Sequence, residues 1–443
     1  MSINLHAKQS EVYKAIFVDK VARHFNVCCA RGFGKSYLGA TAASTAVFEL
    51  MALPARVPNK NVYIIAPTHD QVTDIYFPLL SYEIGLEDYA LKSSKDSGIF
   101  VFPQNVTLRL LSYESIERMR GKGAYHVTLD EVSSFTKGIK AIDAWESIIE
   151  PCINTRWSLE KARLYGAPRP GGSLHISTPK GYNFFYESHN YQEHDKRWKS
   201  FKFDYTQSPL LDAKEIEEAR HNMDPIRFAS EYLADFKESG NNVFYCFDRS
   251  VHVREDLPYF VDEEEDIHVS IDFNVGLQCS AAFAIRGSQV HYLDEFKGHP
   301  DTEELARYIR AKYPRNKIYA YPDPSGRARK SSAPVGRTDF TILESYKITC
   351  LARPKAPPII DSVSSVNAKL KTASGRVELY VHPRCKGLIM SLERTRWVDN
   401  NPDIAVIDKS EGIEHYSDGV RYAMEFLYPA HVAGKRASRG FSF

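Results

Sequence analysis

The sequence predicts an α/β protein of two successive α/β domains joined by a charged helical stretch, and three observations carry that prediction. A glycine-rich loop, Cys28-Cys29-Ala30-Arg31-Gly32-Phe33-Gly34-Lys35-Ser36, stands between an apolar run and a helix-type run. Apolar β-type runs then alternate with helical ones as far as Thr178. A second alternation starts at Ile267 and carries aspartates at the ends of two of its strands. Such alternation is how a mostly parallel sheet covered by helices reads in sequence.

The loop follows the apolar segment His24 to Val27 and precedes the helix-type segment Tyr37 to Leu50. This is the strand–loop–helix setting of a phosphate-binding loop, whose backbone N–H groups and helix N-terminus point at phosphates. Lys35 would neutralise phosphate charge, and the Ser36 hydroxyl would ligate Mg²⁺. Cys29 stands where the standard pattern has glycine, but Gly32 and Gly34 still allow close backbone approach. The bland alternative is a glycine-rich turn with a surface lysine.

Asn61–Pro67 and His69–Leu80 continue the alternation, followed by Val106–Ser112. Tyr125 to Glu131 is then a β-type run ending in two carboxylates, Asp130 and Glu131. Downstream of a phosphate loop, an aspartate at this place holds Mg²⁺, and a following glutamate polarises the attacking water. Leu174 to Gly181 reads as a further strand ending in the polar turn Ser177-Thr178-Pro179, whose hydroxyls are placed to sense the γ-phosphate of a bound nucleotide.

Residues 208–245 are charged and helical in pattern, with Lys214 to Asn222 and Ile226 to Phe236. They read as a linker subdomain between a first domain, 1–207, and a second, 246–429. Residues 430–443 read as a basic, flexible tail. In the second domain His268–Asp272, Ser280–Ile285 and Val290–Phe296 form a three-strand meander. A helix, Thr302–Tyr313, and a strand ending at Asp323 follow, and Ile359–Lys371 and Gly412–Leu427 read as helices. Asp272 and Asp323 end strands, while Asp418 lies on the late helix with Glu414 one turn earlier on the same face. This order of elements and acids is that of the RNase H-like nucleases, in which carboxylates hold two divalent cations about 4 Å apart. Glu295, at the end of the meander, is either a further acid of that group or part of a solvated edge.

Composition narrows the class. With 443 residues the chain is long enough for two or three domains, each with its own core. Hydrophobic content of 43% and charged content of 26% are those of a soluble globular protein. The sequence holds no apolar run of about 18 residues, so no membrane span is expected, and its first residues do not read as a secretory signal. A net charge of +1 provides no global basic field, so any nucleic-acid contact must come from local clusters. Arg327, Arg329, Lys330 and Arg337 form one such cluster beside Asp323, and Lys369, Lys371 and Arg376 another. Seven cysteines without a CxxC pair read as reduced thiols and argue against zinc or a disulfide scaffold.

Together these motifs resemble the large terminase subunit of tailed bacteriophages, over nearly the whole chain. The Arg31-to-Lys35 form of the loop, Ile64-Ile-Ala-Pro67-Thr68, Arg120-Gly121 and Glu231-Tyr-Leu-Ala-Asp-Phe236 are similar to the family's segments. The stretch Ser177-Thr178-Pro179-Lys-Gly181-x-Asn183-x-Phe185-Tyr186 resembles its coupling motif and is the most specific of these. His415-Tyr-Ser-Asp418-Gly-Val-Arg421-Tyr422 resembles the helix that bears the last nuclease acid, with Gly419-Val420 where Ala-Leu is usual and Glu414 where an aspartate is frequent. The resemblance implies a P-loop ATPase domain of the helicase-like (ASCE) type followed by an RNase H-like nuclease domain. It implies Gln9 as an adenine-reading glutamine. ATP would be bound by Gln9, Arg31, Gly32, Gly34, Lys35, Ser36 and Asp130, with Glu131 and Arg31 catalytic. Ser177 and Thr178 would couple hydrolysis to movement, and Asp272, Asp323 and Asp418 would hold Mg²⁺ or Mn²⁺ for DNA cutting. An arginine acting in trans on a neighbour's γ-phosphate is expected between Glu131 and Ser177, with Arg156, Arg163 and Arg169 as candidates and Arg31 in cis as the alternative. The implied partners are double-stranded DNA, a portal protein, a small terminase subunit and further copies of the chain in a pentamer. The implied place is the host cytoplasm, transiently on the procapsid and not in the mature virion. Two other readings stay open: a helicase-like ATPase with a non-catalytic C-terminal domain, and a structural capsid or portal component with vestigial motifs.

Overall fold

The computed structural model describes residues 4–237, 240–260, 264–273, 278–328, 336–398 and 406–429. The tail 430–443 and the cluster residues Arg329 and Lys330 lie outside them. The chain divides into two compact units, Met1–Ile216 with Ala229–Glu238, and Glu217–Phe228 with Ser239–Phe443. The stretch 208–245, read from the sequence as a subdomain of its own, is thus shared between the units. Among the described residues no helix is long and apolar enough to cross a membrane.

The first unit is built on an eight-stranded sheet. Its strands are β1 (His24–Cys29), β2 (Asn61–Ala66), β3 (Lys92–Ser94), β4 (Ile99–Phe102), β5 (Val106–Ser112), β6 (His126–Asp130), β7 (Gly172–Ser177) and β8 (Trp198–Phe203). They lie in the order β3-β4-β5-β2-β6-β7-β1-β8. From β5 to β8 every pairing is parallel, while β3, β4 and β5 form an antiparallel margin. Central strands of a sheet covered on both faces read as continuous apolar runs, and β1, β6 and β7 are buried at every residue. Helix α1 (Ala7–Phe17), α2 (Lys35–Met51) and α3 (His69–Pro78) flank this sheet. Ala40, Ala43, Val47 and Leu50 of α2 share a core with Val62 and Ile64 of β2 and Leu108 of β5. Helix α1, the β3–β4 hairpin and β8 were not legible in the sequence. Val12 and Ile16 give α1 an apolar stripe, but its polar remainder hides the period.

The second unit carries a six-stranded sheet of β9 (Ile267–Asp272), β10 (Gln278–Arg286), β11 (Gln289–His299), β12 (Ile318–Pro322), β13 (Ile348–Cys350) and β14 (Leu379–Val381). The order is β13-β12-β9-β10-β11-β14. The meander read from the sequence is present as antiparallel β9-β10-β11, and β12 pairs parallel with β9. The helices Ile359–Leu370 and His415–Leu427 contribute Val366, Val420 and Met424 to a core with Phe283, Tyr292 and Leu379. Gly419 lets the last helix lie close to β9, because a Cβ there would stand 3.3 Å from backbone atoms of Ser270 and Ile271. All seven cysteines are free thiols, and burial pushes the Cys29 thiol up to about 12, so it is inert at neutral pH.

Candidate active sites

In the first unit the loop between β1 and α2 turns through two left-handed residues, Gly32 at φ 75° and Gly34 at φ 80°, which a side chain would strain. Cys29, at the position where glycine is standard, is the last residue of β1 and is wholly buried. Lys35 and Ser36 begin α2 and face the end of β6. The Ser36 hydroxyl donates to Asp130 Oδ2 at 3.0 Å, and Lys35 Nζ pairs with Glu131 Oε1 at 3.2 Å. Burial works against charge on Lys35, but Glu131, with Asp130 behind it, holds its pKa above the ordinary lysine value. Burial and the like charge of Glu131 push Asp130 up to about 6, while Tyr76, Lys35 and Ser36 pull the other way. Glu131 itself adopts a left-handed backbone at φ 54°, a conformation uncommon outside glycine and often found at functional sites.

The segment from Ser177 to Asn183 meets this centre directly. Ser177 Oγ lies 2.8 Å from the Thr178 carbonyl and 3.4 Å from Glu131 Oε2, and it accepts the Ser133 amide at 3.3 Å. Asn183 bonds the Ser133 carbonyl and caps the helix Phe184–Asn190 through the Phe185 amide. Lys180 Nζ bonds Ser134 Oγ at 2.7 Å. The Ser-Thr-Pro turn and Asn183 are therefore fastened to the turn that follows the two carboxylates. Thr178 is buried within this turn.

Gln9 is 3% exposed and spends its amide on the phosphate loop. Its Nε2 donates to the carbonyls of Phe33 and Gly34, at 3.2 and 3.0 Å, and its Oε1 accepts the His6 amide. In this arrangement Gln9 braces the loop. Arg31 reaches Glu231 at 3.2 Å, and its own amide donates to the Glu231 carbonyl. Of the three arginines considered for a role in trans, Arg156 and Arg163 are exposed. Arg169 is corrected: it is 7% exposed, paired with Glu49 at 2.9 Å and stacked over Tyr125 and Phe17. A guanidinium so enclosed serves its own fold.

In the second unit Asp272 ends β9 and Asp323 follows β12, its neighbour. Pro322 is in register with Ile271, and the Asp323 amide reaches the Ile271 carbonyl at 3.3 Å. Asp418 lies on the helix packed across these strand ends, and burial, with the charges of Asp323, Asp418 and Asp272 behind it, raises the Tyr422 hydroxyl one turn on. The sequence-read acids are therefore neighbours. Their charges are met by cations of the chain itself. Lys409 Nζ is 2.9 Å from Asp418 Oδ2, and Arg421 Nε is 3.1 Å from Asp418 Oδ1. Burial alone would raise Asp418, yet Arg421 and Lys409 outweigh it and hold its carboxyl below the ordinary value. His415 Nδ1 lies 3.2 Å from Asp272 Oδ2 and 3.7 Å from Glu414 Oε1, and the bond to Asp272 holds its pKa above the ordinary imidazole value.

The carboxylate oxygens of the acids are donors that suit a hard divalent cation, and the His415 imidazole lies among them. Glu414, left in doubt by the sequence, is 1% exposed, and its Oε2 is buried without a hydrogen-bond partner. Among the described residues, no three His, Cys, Asp or Glu side chains converge as ligands of one ion. Lys409, His415 and Arg421 answer the acids instead. Glu295 is neither a member of this group nor a solvated edge: it accepts the amides of Gly387 and Leu388, both at 3.0 Å, and so caps the helix Lys386–Arg394.

The basic clusters are largely committed within the fold. Arg327 bonds the carbonyls of Ala352 and Arg353 and lies over Phe340, while Arg337 pairs with Glu303. Lys369 is corrected as a phosphate contact: it is 9% exposed, bonded to Glu378 at 2.9 Å and set over the Tyr428 ring. Arg376 approaches the same glutamate at 3.4 Å, and Lys371 is exposed.

No protein-family profile matches this chain. In sequence it is similar to the terminase large subunit of Escherichia phage T5, 23% identical over 391 residues that span 85% of this chain and 79% of the relative. In structure it superposes on the large terminase of a thermophilic bacteriophage in complex with ATP-γ-S, with a TM-score of 0.56 over 96% of this chain and 99% of that one, at 12% identity. Another crystal form of the same thermophilic phage protein gives a TM-score of 0.52 over 95% and 98%, at 13% identity.

This chain has the large-terminase fold. The resemblance read from the motifs is borne out, and so is the fold class, an N-terminal P-loop domain followed by an RNase H-like domain. Within the large-terminase fold, the loop lysine, the β6 carboxylates and the Ser-Thr-Pro turn form one centre. The acids of β9, β12 and the last helix form the other.

Proposed function

We propose that this chain is the large subunit of a phage DNA-packaging terminase, an ATP-driven translocase of double-stranded DNA that also cuts concatemeric DNA. The observation that carries this reading is the presence, in one chain of large-terminase fold, of two separate chemical centres. One is the Lys35–Glu131, Ser36–Asp130 and Ser177 constellation. The other is the group Asp272, Asp323, Glu414 and Asp418 around the last helix.

At the first centre, the loop amides and Lys35 bind the nucleotide phosphates, Ser36 and Asp130 would hold Mg²⁺, and Glu131 orients and deprotonates the attacking water. Bound Mg²⁺ supplies neutralisation of the phosphate charge. Phosphate binding draws Lys35 away from Glu131, which frees the carboxylate for its water. Ser177, in reach of Glu131 and bonded to the turn after it, is placed to pass that change to the Ser-Thr-Pro segment. At the second centre, Asp272, Asp323 and Asp418 would hold Mg²⁺ or Mn²⁺, which would supply Lewis acidity toward a phosphodiester. The chain's own part there is to give up Lys409 and His415 from the carboxylates. By analogy with the fold, the partners are a portal protein, a small terminase subunit and further copies of the chain in a pentameric ring, and the place of action is the host cytoplasm on a procapsid.

Purified protein incubated with plasmid DNA, Mg²⁺ or Mn²⁺ and ATP tests this. Phosphate release and plasmid nicking in the wild type, with Lys35→Ala losing the first and keeping the second, support the reading. ATP hydrolysis without nicking under any divalent cation favours instead a helicase-like ATPase with a non-catalytic C-terminal domain.

A further inference from the structure

Behind Asp130 lies a residue that no motif singled out. Tyr76, on α3, is wholly buried, and its hydroxyl donates to Asp130 Oδ2 at 2.7 Å. The same oxygen accepts from Ser36 at 3.0 Å, and Oδ1 accepts the Glu131 amide at 3.0 Å. The carboxylate is thereby fixed from three directions, and Tyr76 supplies the only one of these donors that lies outside the loop-helix and the carboxylate turn. The hydroxyl reaches it past α2. Gly39 sits there, in the second turn of that helix, and a Cβ at Gly39 would stand 2.8 Å from Tyr76 Oη and 3.0 Å from Thr128 Cγ2. Glycine inside a helix costs about 1 kcal/mol relative to alanine. Here that cost leaves room for the hydroxyl.

We propose that Tyr76 is a positioning residue for nucleotide-bound Mg²⁺, holding Asp130 in the orientation that meets the ion beside Ser36, and that Gly39 is small so that the tyrosine hydroxyl can reach it. The proposal rests on the reading of this loop as a nucleotide site. Carboxylates that ligate metals are themselves held by hydrogen bonds, and losing such a partner costs roughly 10–100-fold in metal affinity. Tyr76→Phe removes one oxygen and keeps the ring in the core, so its effect falls on Asp130.

The test is binding of a fluorescent, non-hydrolysable ATP analogue as Mg²⁺ is titrated, with melting curves and ATP turnover alongside. Tyr76→Phe is expected to need about tenfold more Mg²⁺ for half-maximal tightening of binding. Its affinity for the analogue in EDTA should stay that of the wild type, and saturating Mg²⁺ should restore turnover. Gly39→Ala, which keeps every donor but crowds the hydroxyl, should shift the Mg²⁺ dependence the same way. In the Tyr76→Phe background its shift should be clearly smaller, because the hydroxyl it crowds most closely is gone and, of the close contacts, only that with Thr128 remains. If Tyr76→Phe does not fold, Gly39→Ala alone carries the test by the same shift. A Tyr76→Phe protein with wild-type Mg²⁺ dependence overturns the proposal, as does a Gly39→Ala shift of equal size in both backgrounds. If the wild type binds no nucleotide with or without Mg²⁺, the phosphate-loop reading itself fails, an outcome distinct from a failure of Tyr76 alone.

Discussion

Lys35 Nζ and Glu131 Oε1 stand 3.2 Å apart, an ion pair between the loop lysine and the carboxylate that would activate water. In the proposed function, nucleotide binding takes the lysine from the glutamate. Glu131→Gln keeps the shape and removes the competing charge. It is expected to bind ATP at least as tightly as the wild type while hydrolysing it roughly 10²–10⁴-fold more slowly. Nucleotide titration and phosphate release measure the two effects separately, and a wild-type turnover rate would move the catalytic role to another residue.

Arg169 gives a stability prediction where the sequence offered a catalytic one. Removing one partner of a buried ion pair costs about 3–5 kcal/mol, and Arg169 is buried against Glu49 under two aromatic rings. Arg169→Ala should lower the melting temperature strongly, whereas Arg156→Ala and Arg163→Ala, on exposed helix surface, should melt like the wild type. Mixing each of those two with Lys35→Ala and assaying ATP hydrolysis then tests a role in trans. Activity regained in one mixture identifies the arginine, and none regained removes both.

Glu295 should matter for folding and little for cutting. Its carboxylate caps two amides of the helix Lys386–Arg394, and loss of such a cap costs about 1 kcal/mol. Glu295→Ala is expected to lower thermal stability modestly and to retain plasmid nicking. Loss of nicking at unchanged stability would return Glu295 to the acid group.

A buried histidine chain makes the first unit acid-sensitive. His24 bonds Ser173 at 2.9 Å, Ser173 bonds His175 at 3.1 Å, and Trp145 and Trp198 enclose both rings. Burial lowers His175 from 6.5 to about 3, and burial together with Arg23, His175 and Arg197 lowers His24 well below 6.5. Since the unfolded chain binds these protons more readily, stability is fully present above pH 6.5 and is lost as pH falls toward 3. At pH 5 the cost is about 2 kcal/mol for His175, and His24 adds to it in the same direction. Melting curves from pH 7.5 to pH 5 should show that slope, and His175→Gln should flatten it. An unchanged slope in the variant would place the acid sensitivity elsewhere.

What the sequence disclosed and what it hid divide on physical lines. The phosphate loop, the β6 carboxylates and the strand-end aspartates are read from local pattern, because each is a short run of residue types whose chemistry needs that spacing. The role of Tyr76 was hidden, because its partner is 54 residues away and a tyrosine in an apolar helix face looks like core. Gln9 was named through the family resemblance and Lys369 through its charge, and their bonds to the Phe33–Gly34 carbonyls and to Glu378 join residues far apart in the chain or hidden by burial. Glu414 was underweighted for a related reason. Its exposure could not be read from sequence, and its Oε2 is buried without a hydrogen-bond partner. Glu414→Gln is expected to impair nicking as strongly as loss of an aspartate, with ATP turnover unaffected.

The most direct test of the account, two catalytic centres in one chain, is plasmid nicking by Asp272→Ala and Asp418→Ala across a Mn²⁺ titration, with ATP hydrolysis measured on the same preparations. The account predicts that both variants hydrolyse ATP like the wild type and nick no plasmid at any Mn²⁺ concentration that supports wild-type cutting. Nicking at the wild-type rate by either variant, or loss of ATP hydrolysis together with nicking, would contradict it.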